Sequence, residues 1–490
     1  MGREDEIIKE RMRKLSELKK NKINPYPHKF DKKHEISECL KFAIGKSVKT
    51  AGRLMTKRDI GKIIFCNLMD GNSLMQIVFQ EKETPAKEFD FLKKYVDSGD
   101  FVGIDGKIMK TKTGQKSILV KKIEMLSKSI LPLPEKWHGL QDKEERYRKR
   151  YLDLIMNPGV KEIFEKREKI VDILRKMLKE SKFVEVETPN LQSVYGGASA
   201  TPFITHLNAL DIDLYLSISP ELYLKRLIVG GFEKVFTIAR NFRNEGIDYQ
   251  HNPEFTMLEY YIAYKNYEFH IYFIEELFKR LRKELKLPEK IEYRGKQISL
   301  KTPFKKVEFR DLILKETGID INKADNFEKL KKEISSKKID NVDIRNCRHY
   351  GALLDELYKR IVRPNIIQPT FLTHYPVEMI ALAKRNEKDE KKINSVQLII
   401  DGVEIVKAYD EINNPLDQEE RLKEQQKLLK EGDKEAMPFD EDFITSLKYG
   451  MPPTAGLGLG IDRLTALLTN SPSIRDVILF PFMKPEEKDK

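Results

Sequence analysis

The sequence predicts an α+β protein in two parts: a small β-barrel near the N-terminus, and a larger domain in which strands mix with charged helices. Three observations predict it. From about 48 to 128 the chain holds five runs of strand character, VKTAGRLM, KIIFCNLMD, SLMQIVFQ, DFVGIDGKIMKT and QKSILVKKIEML, separated by turns rich in Gly, Asp and Asn. Leu131-Pro132-Leu133-Pro134 is a stiff extended segment of the kind that separates domains. After it, charged helical stretches alternate with apolar strand runs and polar loops.

Taken in order, residues 3–21 read as a charged helix, because Ile7, Ile8, Met12, Leu15 and Leu18 recur at helical spacing with Lys and Arg between them. Asn24-Pro25-Tyr26-Pro27 ends it, since proline removes a helical donor and clashes with the preceding turn. Residues 1–30 are therefore a helix with a proline-rich entry, and 31–130 the barrel. Five short strands in so short a span, broken by one helical run PAKEFDFLKKYVDS, suggest a small antiparallel barrel such as an OB-fold. A linker is expected at 131–145 and the larger domain at 146–490. That domain opens with two charged helical stretches over 142–182, and a lysine-rich helical insertion is expected at about 300–360. The 490 residues allow a sizeable core without disulfides or a structural metal.

Composition narrows the function classes. Hydrophobic residues are 40% and charged residues 34%, which excludes a membrane protein and a low-complexity chain. No run approaches the ~18 apolar residues of a membrane span, and MGREDEIIKERMRKLSELKK has no apolar core of a secretory signal. Cys39, Cys66 and Cys347 are far apart and form no CxxC pair, which fits a reducing cytosol. Lys plus Arg number 90 against 78 Asp plus Glu, a formal charge of +12. That excess suits a polyanionic partner such as nucleic acid, or simply a lysine-rich proteome; charge alone does not choose.

Three segments carry chemistry. The first, Phe183-Val184-Glu185-Val186-Glu187-Thr188-Pro189, is a short strand stopped by proline and alone says little. The second runs from Phe236 to Glu245 and resumes at His251 as HNPEFTMLEYY, two strands joined by a polar loop. Arg243, Glu245, His251, Phe255, Glu259 and Tyr261 are all odd-numbered, so within each strand they are expected on one face. A cation, carboxylates, an imidazole and aromatics do not make a core face. An arginine can grip a phosphate or carboxylate with parallel bonds, and a ring can stack on a base. The third is Gly456-Leu457-Gly458-Leu459-Gly460-Ile461-Asp462-Arg463. Alternating glycines let a backbone approach a ligand closely. The spacing matches neither a phosphate loop nor a dinucleotide fingerprint.

In this order the three segments resemble the signature motifs of class II aminoacyl-tRNA synthetases, and within that class the lysyl-tRNA synthetases. The words HNPEFTMLEY, ISPELYLKRL (Ile218 to Leu227), WHGLQDKEERYRKRYLDL (Trp137 to Leu154) and MPPTAGLGLGIDRL with IRDVILFP (Met451 to Pro481) carry the resemblance, which covers nearly the whole chain. It implies an antiparallel class II sheet with helices, an OB-fold that binds the anticodon, and a cytoplasmic homodimer without membrane contact, with Pro189 at the dimer interface. It further implies that the chain activates L-lysine with ATP to lysyl-adenylate and passes it to the 3′ end of tRNA(Lys), with Mg²⁺ as cofactor.

Residue by residue, the resemblance makes Arg243 and Arg463 catalytic. Arg243 bridges the α-phosphate and the amino-acid carboxylate, and Arg463 covers the adenine and touches the γ-phosphate. Glu245, His251, Asn252, Phe255 and Glu404 complete the ATP site. Gly197 and Glu221 take the α-amino group, while Glu259, Tyr261 and Glu411 surround the ε-ammonium, with Lys407 and Tyr409 beside them. Arg53, Phe65, Gln76 and Gln115 are the anticodon positions. By pattern alone Phe65 reads as a barrel-core ring; the resemblance turns it outward.

Four positions depart from the lysyl pattern. Gln397 stands where a metal-binding Glu is usual, Lys407 replaces an Asn, Ile380-Ala381 replaces Ser-Pro, and Gln115 replaces a Glu. Glu404, the other metal carboxylate, is kept. VQLIID-Gly402-VEIVKAYDE reads as a hairpin through Asp401-Gly402. Ile399 then faces Glu404, with Gln397 its diagonal neighbour. Lys407, Tyr409 and Glu411 have the opposite parity, so a bulge between 404 and 407 is expected if all line one site. Glu to Gln and Asn to Lys each add one positive charge, and losing one Mg²⁺ removes two. The Lys407 ammonium could thus stand in for one metal ion. Other readings are a protein-lysylating paralogue, an aspartate or asparagine enzyme, or a nucleotide-binding regulator. The barrel speaks against the first, the anionic Glu259–Glu411 pair against the second, and the intact arginines against the third.

Overall fold

A computed structural model describes residues 2–134, 140 and 142–486. Trp137 and part of the expected linker 131–145 lie outside the described residues. The chain forms two compact units, residues 1–161 and 162–490.

In the first unit the helix Arg3–Lys20 buries Leu15 and Leu18. The stripe runs through Arg11 rather than Met12, which is 47% exposed. The Arg11 guanidinium donates to the carbonyls of Ser98 at 2.7 Å and Leu131 at 2.8 Å, which makes its burial tolerable. Strands β1 (Ser47–Asp59), β2 (Ile63–Asp70), β3 (Ser73–Gln80), β4 (Phe101–Lys110) and β5 (Lys116–Ser127) close into a barrel in the order β1-β2-β3-β5-β4. Every pair is antiparallel except β3 and β5, which close the barrel in parallel. The expected helix, Ala86–Tyr95, sits between β3 and β4. Period-two alternation places Ile64, Cys66 and Leu68 in the barrel core.

The second unit is built on an eight-stranded sheet, ordered β14-β15-β16-β17-β18-β11-β10-β6. Its strands, with the small sheets beside it, are β6 (Val184–Glu185), β7 (Leu191–Gln192), β8 (Ile204–Leu207), β9 (Ile212–Leu216), β10 (Lys234–Phe242), β11 (Glu254–Ala263), β12 (Lys290–Tyr293), β13 (Lys296–Ser299), β14 (Lys305–Glu308), β15 (Thr370–Thr373), β16 (Ser395–Ile400), β17 (Val403–Asp410) and β18 (Thr454–Gly460). The six central strands are antiparallel; only the edge pairs, β14 with β15 and β10 with β6, are parallel. The helical stretch expected from about 300 opens instead with β14, because Lys305–Glu308 extends the sheet before the helix Phe309–Thr317 begins. Likewise β6 ends at Glu185, four residues before Pro189, so the proline terminates an extended segment rather than the strand.

Two cores flank the sheet. On one face Phe236, Leu258, Tyr260, Val406 and Ala408 pack with residues of the helices Pro158–Glu180 and Tyr267–Glu284. On the other, Val235, Tyr261, Leu372, Ile399 and Tyr409 join the residues that follow β14. That second face is interrupted by charged side chains.

Candidate active site

The cross-strand register sets out the charged face in rows. Thr237 lies opposite Glu259, Glu259 opposite Gly458, Gly458 opposite Lys407, and Lys407 opposite Gln397. In the next row Tyr261 faces Gly456 and Gly456 faces Tyr409. The glycines thus fall where flanking strands carry large polar side chains. A Cβ on Gly456 would overlap Glu411 Oε1 and stand 2.5 Å from the Tyr261 ring; one on Gly458 would stand 3.0 Å from Met257 Cε. The alternation keeps the floor of the site open.

The hairpin turns through Asp401 and Gly402, both at positive φ, and the expected bulge is present. Ile399 faces Glu404 but Leu398 faces Val406, so Ile405 is the extra residue. Glu404, Lys407 and Tyr409 consequently share the site face.

The shared-face expectation holds for Phe255, Glu259 and Tyr261, which alternate along β11. It fails for Arg243, Glu245 and His251, because the strands end at Phe242 and resume at Glu254. Arg243 follows the strand, its N–H donating to the Pro253 carbonyl at 2.8 Å and its guanidinium 5.0 Å from the Phe255 ring centre. Desolvation lowers its pKa; Glu245, Glu259 and Glu404 oppose that shift and Arg463 adds to it, so these groups converge on one guanidinium. Arg463 opens the helix Ile461–Leu468 and donates to the Glu404 carbonyl at 3.0 Å. Asp462 locks that helix to β11 by accepting from the Thr256 N–H at 2.9 Å. Exposed His251 bonds Asp248 at 2.8 Å. The amide of Asn252 is spent on the Glu254 carbonyl and the Phe482 N–H.

Beside Arg243 lies a buried anionic pocket. Glu221, Glu259 and Glu411 are 4%, 4% and 1% exposed. Tyr409 donates to both oxygens of Glu221, at 2.9 and 2.8 Å, and Ser219 to both of Glu259, at 3.1 and 3.2 Å. Tyr409 therefore holds Glu221 rather than Glu259 or Glu411. Gly197, at φ +87°, packs on Ser219 and Glu221, where a Cβ would stand 2.8 Å from Glu221.

Burial, and next Glu221, push Glu259 up to about 8; the Ser219 hydroxyl, Arg243 and Lys225 pull the other way. A carboxyl raised in this way is increasingly neutral below that pH and cannot pair with an ammonium. Affinity of the pocket for a cationic ligand that pairs with Glu259 is therefore expected to fall by up to about tenfold per unit as pH drops below about 8, and to level off above. Calorimetry of that binding in buffers of different ionisation enthalpy would show the matching proton release.

Sequence reasoning missed Ser219, Lys225 and Asn241. The Lys225 ammonium bridges Glu221 and Glu411. Asn241, fully buried and facing Phe255, has neither amide atom hydrogen-bonded among the described residues. The available signal for Lys225 was its place four residues after Glu221, the spacing of an i,i+4 ion pair on one helix face. Gln397 is 5% exposed and its carbonyl oxygen accepts from the Tyr375 hydroxyl at 2.7 Å, so it is committed to the protein. Lys407 is half-buried and its ammonium has no hydrogen bond or ion pair among the described residues.

In the barrel, Phe65 is half-buried and points outward, opposite to the core residues Ile64 and Cys66, as do Arg53 and Gln76. Arg53 stacks over Phe101 at 4.2 Å and bonds the Gly99 carbonyl. Ser117 donates to the Gln76 side chain at 2.8 Å, and Gln115 is exposed in the β4–β5 turn.

Residues 142–484 match the family model of class II tRNA synthetases (D, K and N), and 48–126 match the OB-fold nucleic acid binding domain. A lysine–tRNA ligase of Pelotomaculum thermopropionicum is 45% identical, over 99% of this chain and 97% of the relative. The chain belongs to the class II lysyl-tRNA synthetase family. The lysine–tRNA ligase of Thermotoga maritima is 44% identical over 98% of this chain and 97% of its own length, and lysine–tRNA ligase 2 of Methanosarcina mazei 45% over 97% and 94%. Among the described residues no helix is long and apolar enough to cross a membrane.

Proposed function

We propose that the chain activates lysine with ATP and transfers it to tRNA(Lys). The observation that carries this is the pocket of Glu221, Glu259 and Glu411 beside Arg243. Three buried carboxylates suit a substrate with two ammonium groups and reject neutral side chains, which would leave those charges unpaired. The amino-acid carboxylate attacks the α-phosphorus, pyrophosphate leaves, and lysyl-adenylate forms; a terminal ribose hydroxyl of tRNA then displaces AMP. No protein nucleophile is needed. Arg243 holds the carboxylate against the phosphorus and stabilises the charge that develops there, while Phe255 and Arg463 sandwich the base. Amino-acid-dependent ATP–pyrophosphate exchange, run with all twenty amino acids and no tRNA, tests the reading. Exchange with lysine alone supports it; ATP binding without exchange favours the regulator reading.

Glu404 would hold magnesium, which binds through one or two carboxylates and the substrate phosphates. Bound there, the ion neutralises phosphate charge. Gln397 lacks a carboxylate and its oxygen is already committed, whereas the neighbouring Lys407 ammonium is free to meet phosphate oxygens. Lys407→Asn is expected to raise the Mg²⁺ concentration needed for half-maximal exchange several-fold, roughly 1 kcal/mol of interaction. The same Mg²⁺ dependence in variant and parent would rule the substitution of metal by ammonium out.

The outward Phe65, with Arg53, Gln76 and Gln115 on the barrel, offers a stacking platform for splayed bases. Phe65→Ala is expected to weaken tRNA binding about 10- to 100-fold while leaving pyrophosphate exchange unchanged. Exposed Val184, Leu191, Ile204 and Ile212, at 45%, 52%, 64% and 42%, lie near the exposed Pro189 in sequence or sheet and supply an apolar surface for a homodimer. A cytoplasmic setting suits these substrates.

A further inference from the structure

Lys225 is the one described lysine whose ammonium enters the anionic pocket. It is 1% exposed, on the helix Glu221–Val229, and one helical turn after Glu221. Its Nζ contacts Glu221 Oε1 and Glu411 Oε2. The rings of Tyr409 and Phe443 lie 5.8 and 5.9 Å away and close it off. Neither Glu411 oxygen has a hydrogen-bond partner among the described residues; Oε2 has the Lys225 ion pair, whereas Oε1 is the atom for which the missing Cβ of Gly456 leaves room. A buried cation of this kind persists only while fully paired, and its partners lose a counter-ion if it goes.

The pocket's charge count follows. Ionised Glu221, Glu259 and Glu411 carry three negative charges and Lys225 one positive, a net of two negative. Two ammonium groups on the substrate cancel them, while the substrate carboxylate is matched by Arg243. Without the Lys225 charge, one buried anion would remain uncompensated in the complex.

We propose that Lys225 is a positioning residue for the amino acid: its ammonium ties Glu221 to Glu411, sets a pocket charge that two substrate ammonium groups neutralise, and leaves Glu411 Oε1 for the side-chain ammonium. The α-amino and side-chain subsites are thereby coupled through one protein cation. The proposal rests on the reading of this pocket as the lysine site, and the wild-type exchange assay separates the two. If the parent does not exchange with lysine, the reading fails; if it does, the Lys225 variants decide.

Lys225→Met keeps length and removes charge. Its lysine KM in pyrophosphate exchange is expected to rise about 30-fold or more, with the ATP KM unchanged. In Lys225→Ala, ethylammonium added to the assay is expected to restore part of the lysine affinity, and ethanol none. A Lys225→Met protein with lysine KM close to the parent's overturns the proposal. So does a parallel loss in the lysine and ATP parameters without ethylammonium rescue, since that is what a merely structural lysine would give. If Lys225→Met does not fold, Lys225→Gln takes its place and is judged by the same two outcomes.

Discussion

Arg243→Ala is expected to reduce lysine-dependent ATP–pyrophosphate exchange by about 10³-fold, the loss usual when a preorganised donor at a developing charge is removed. The guanidinium lies over the Phe255 ring and donates to the Ile218 carbonyl, and Glu245, Glu259 and Glu404 are near enough to influence its charge. It reaches both the anionic pocket and the stacking ring. If Phe255 and Arg463 sandwich the base as proposed, its removal should lower kcat strongly while ATP binding falls less. Steady-state exchange kinetics with separate lysine and ATP titrations would show this split. An equal rise in both KM values at unchanged kcat would mean that Arg243 only binds.

Gly456→Ala is expected to cost nearly as much through a single methyl group. The new carbon would overlap Glu411 Oε1 and press on the Tyr261 ring, and neither can retreat, since both are at most 3% exposed. Glu411 must shift by a large fraction of an ångström, and misplacement on that scale costs about 100-fold. The loss should appear as a raised lysine KM with little change for ATP, because Gly456 neighbours Tyr261 and Tyr409 but not Phe255. Gly458→Ala, which meets the flexible end of Met257 instead of a carboxylate, should be milder.

Much of this architecture was legible because alternation and turn chemistry agree. Each barrel strand falls on its expected run, and the bulge in β17 is readable from a parity conflict between Glu404 and Lys407. What escaped was the direction of individual side chains. Phe65 reads as core because rings usually are, yet its neighbours Ile64 and Cys66 already fill the barrel. Arg11 reads as solvated, and Met12 as buried, until the carbonyls of Ser98 and Leu131 offer the arginine partners brought from distant parts of the chain. Lys225 was invisible for the same reason. A lysine flanked by Leu224 and Arg226 looks like part of a wet helix face, and only the tertiary approach of Glu411 explains its burial. Periodicity likewise placed Arg243 and His251 on a strand face, although both belong to the loop between β10 and β11.

The extra residue in β17 works as a phase shifter. Before Ile405 the even-numbered side chain, Glu404, lies on the site face; after it the odd-numbered ones, Lys407 and Tyr409, do. One strand thus sends two runs of side chains, out of step in sequence, to a single face. Removing a single residue there would turn Val406 and Ala408 inward and send Lys407 and Tyr409 into the opposite core. Chain length at this point is consequently as much a part of the site as any side chain in it, and a substitution is the gentler change.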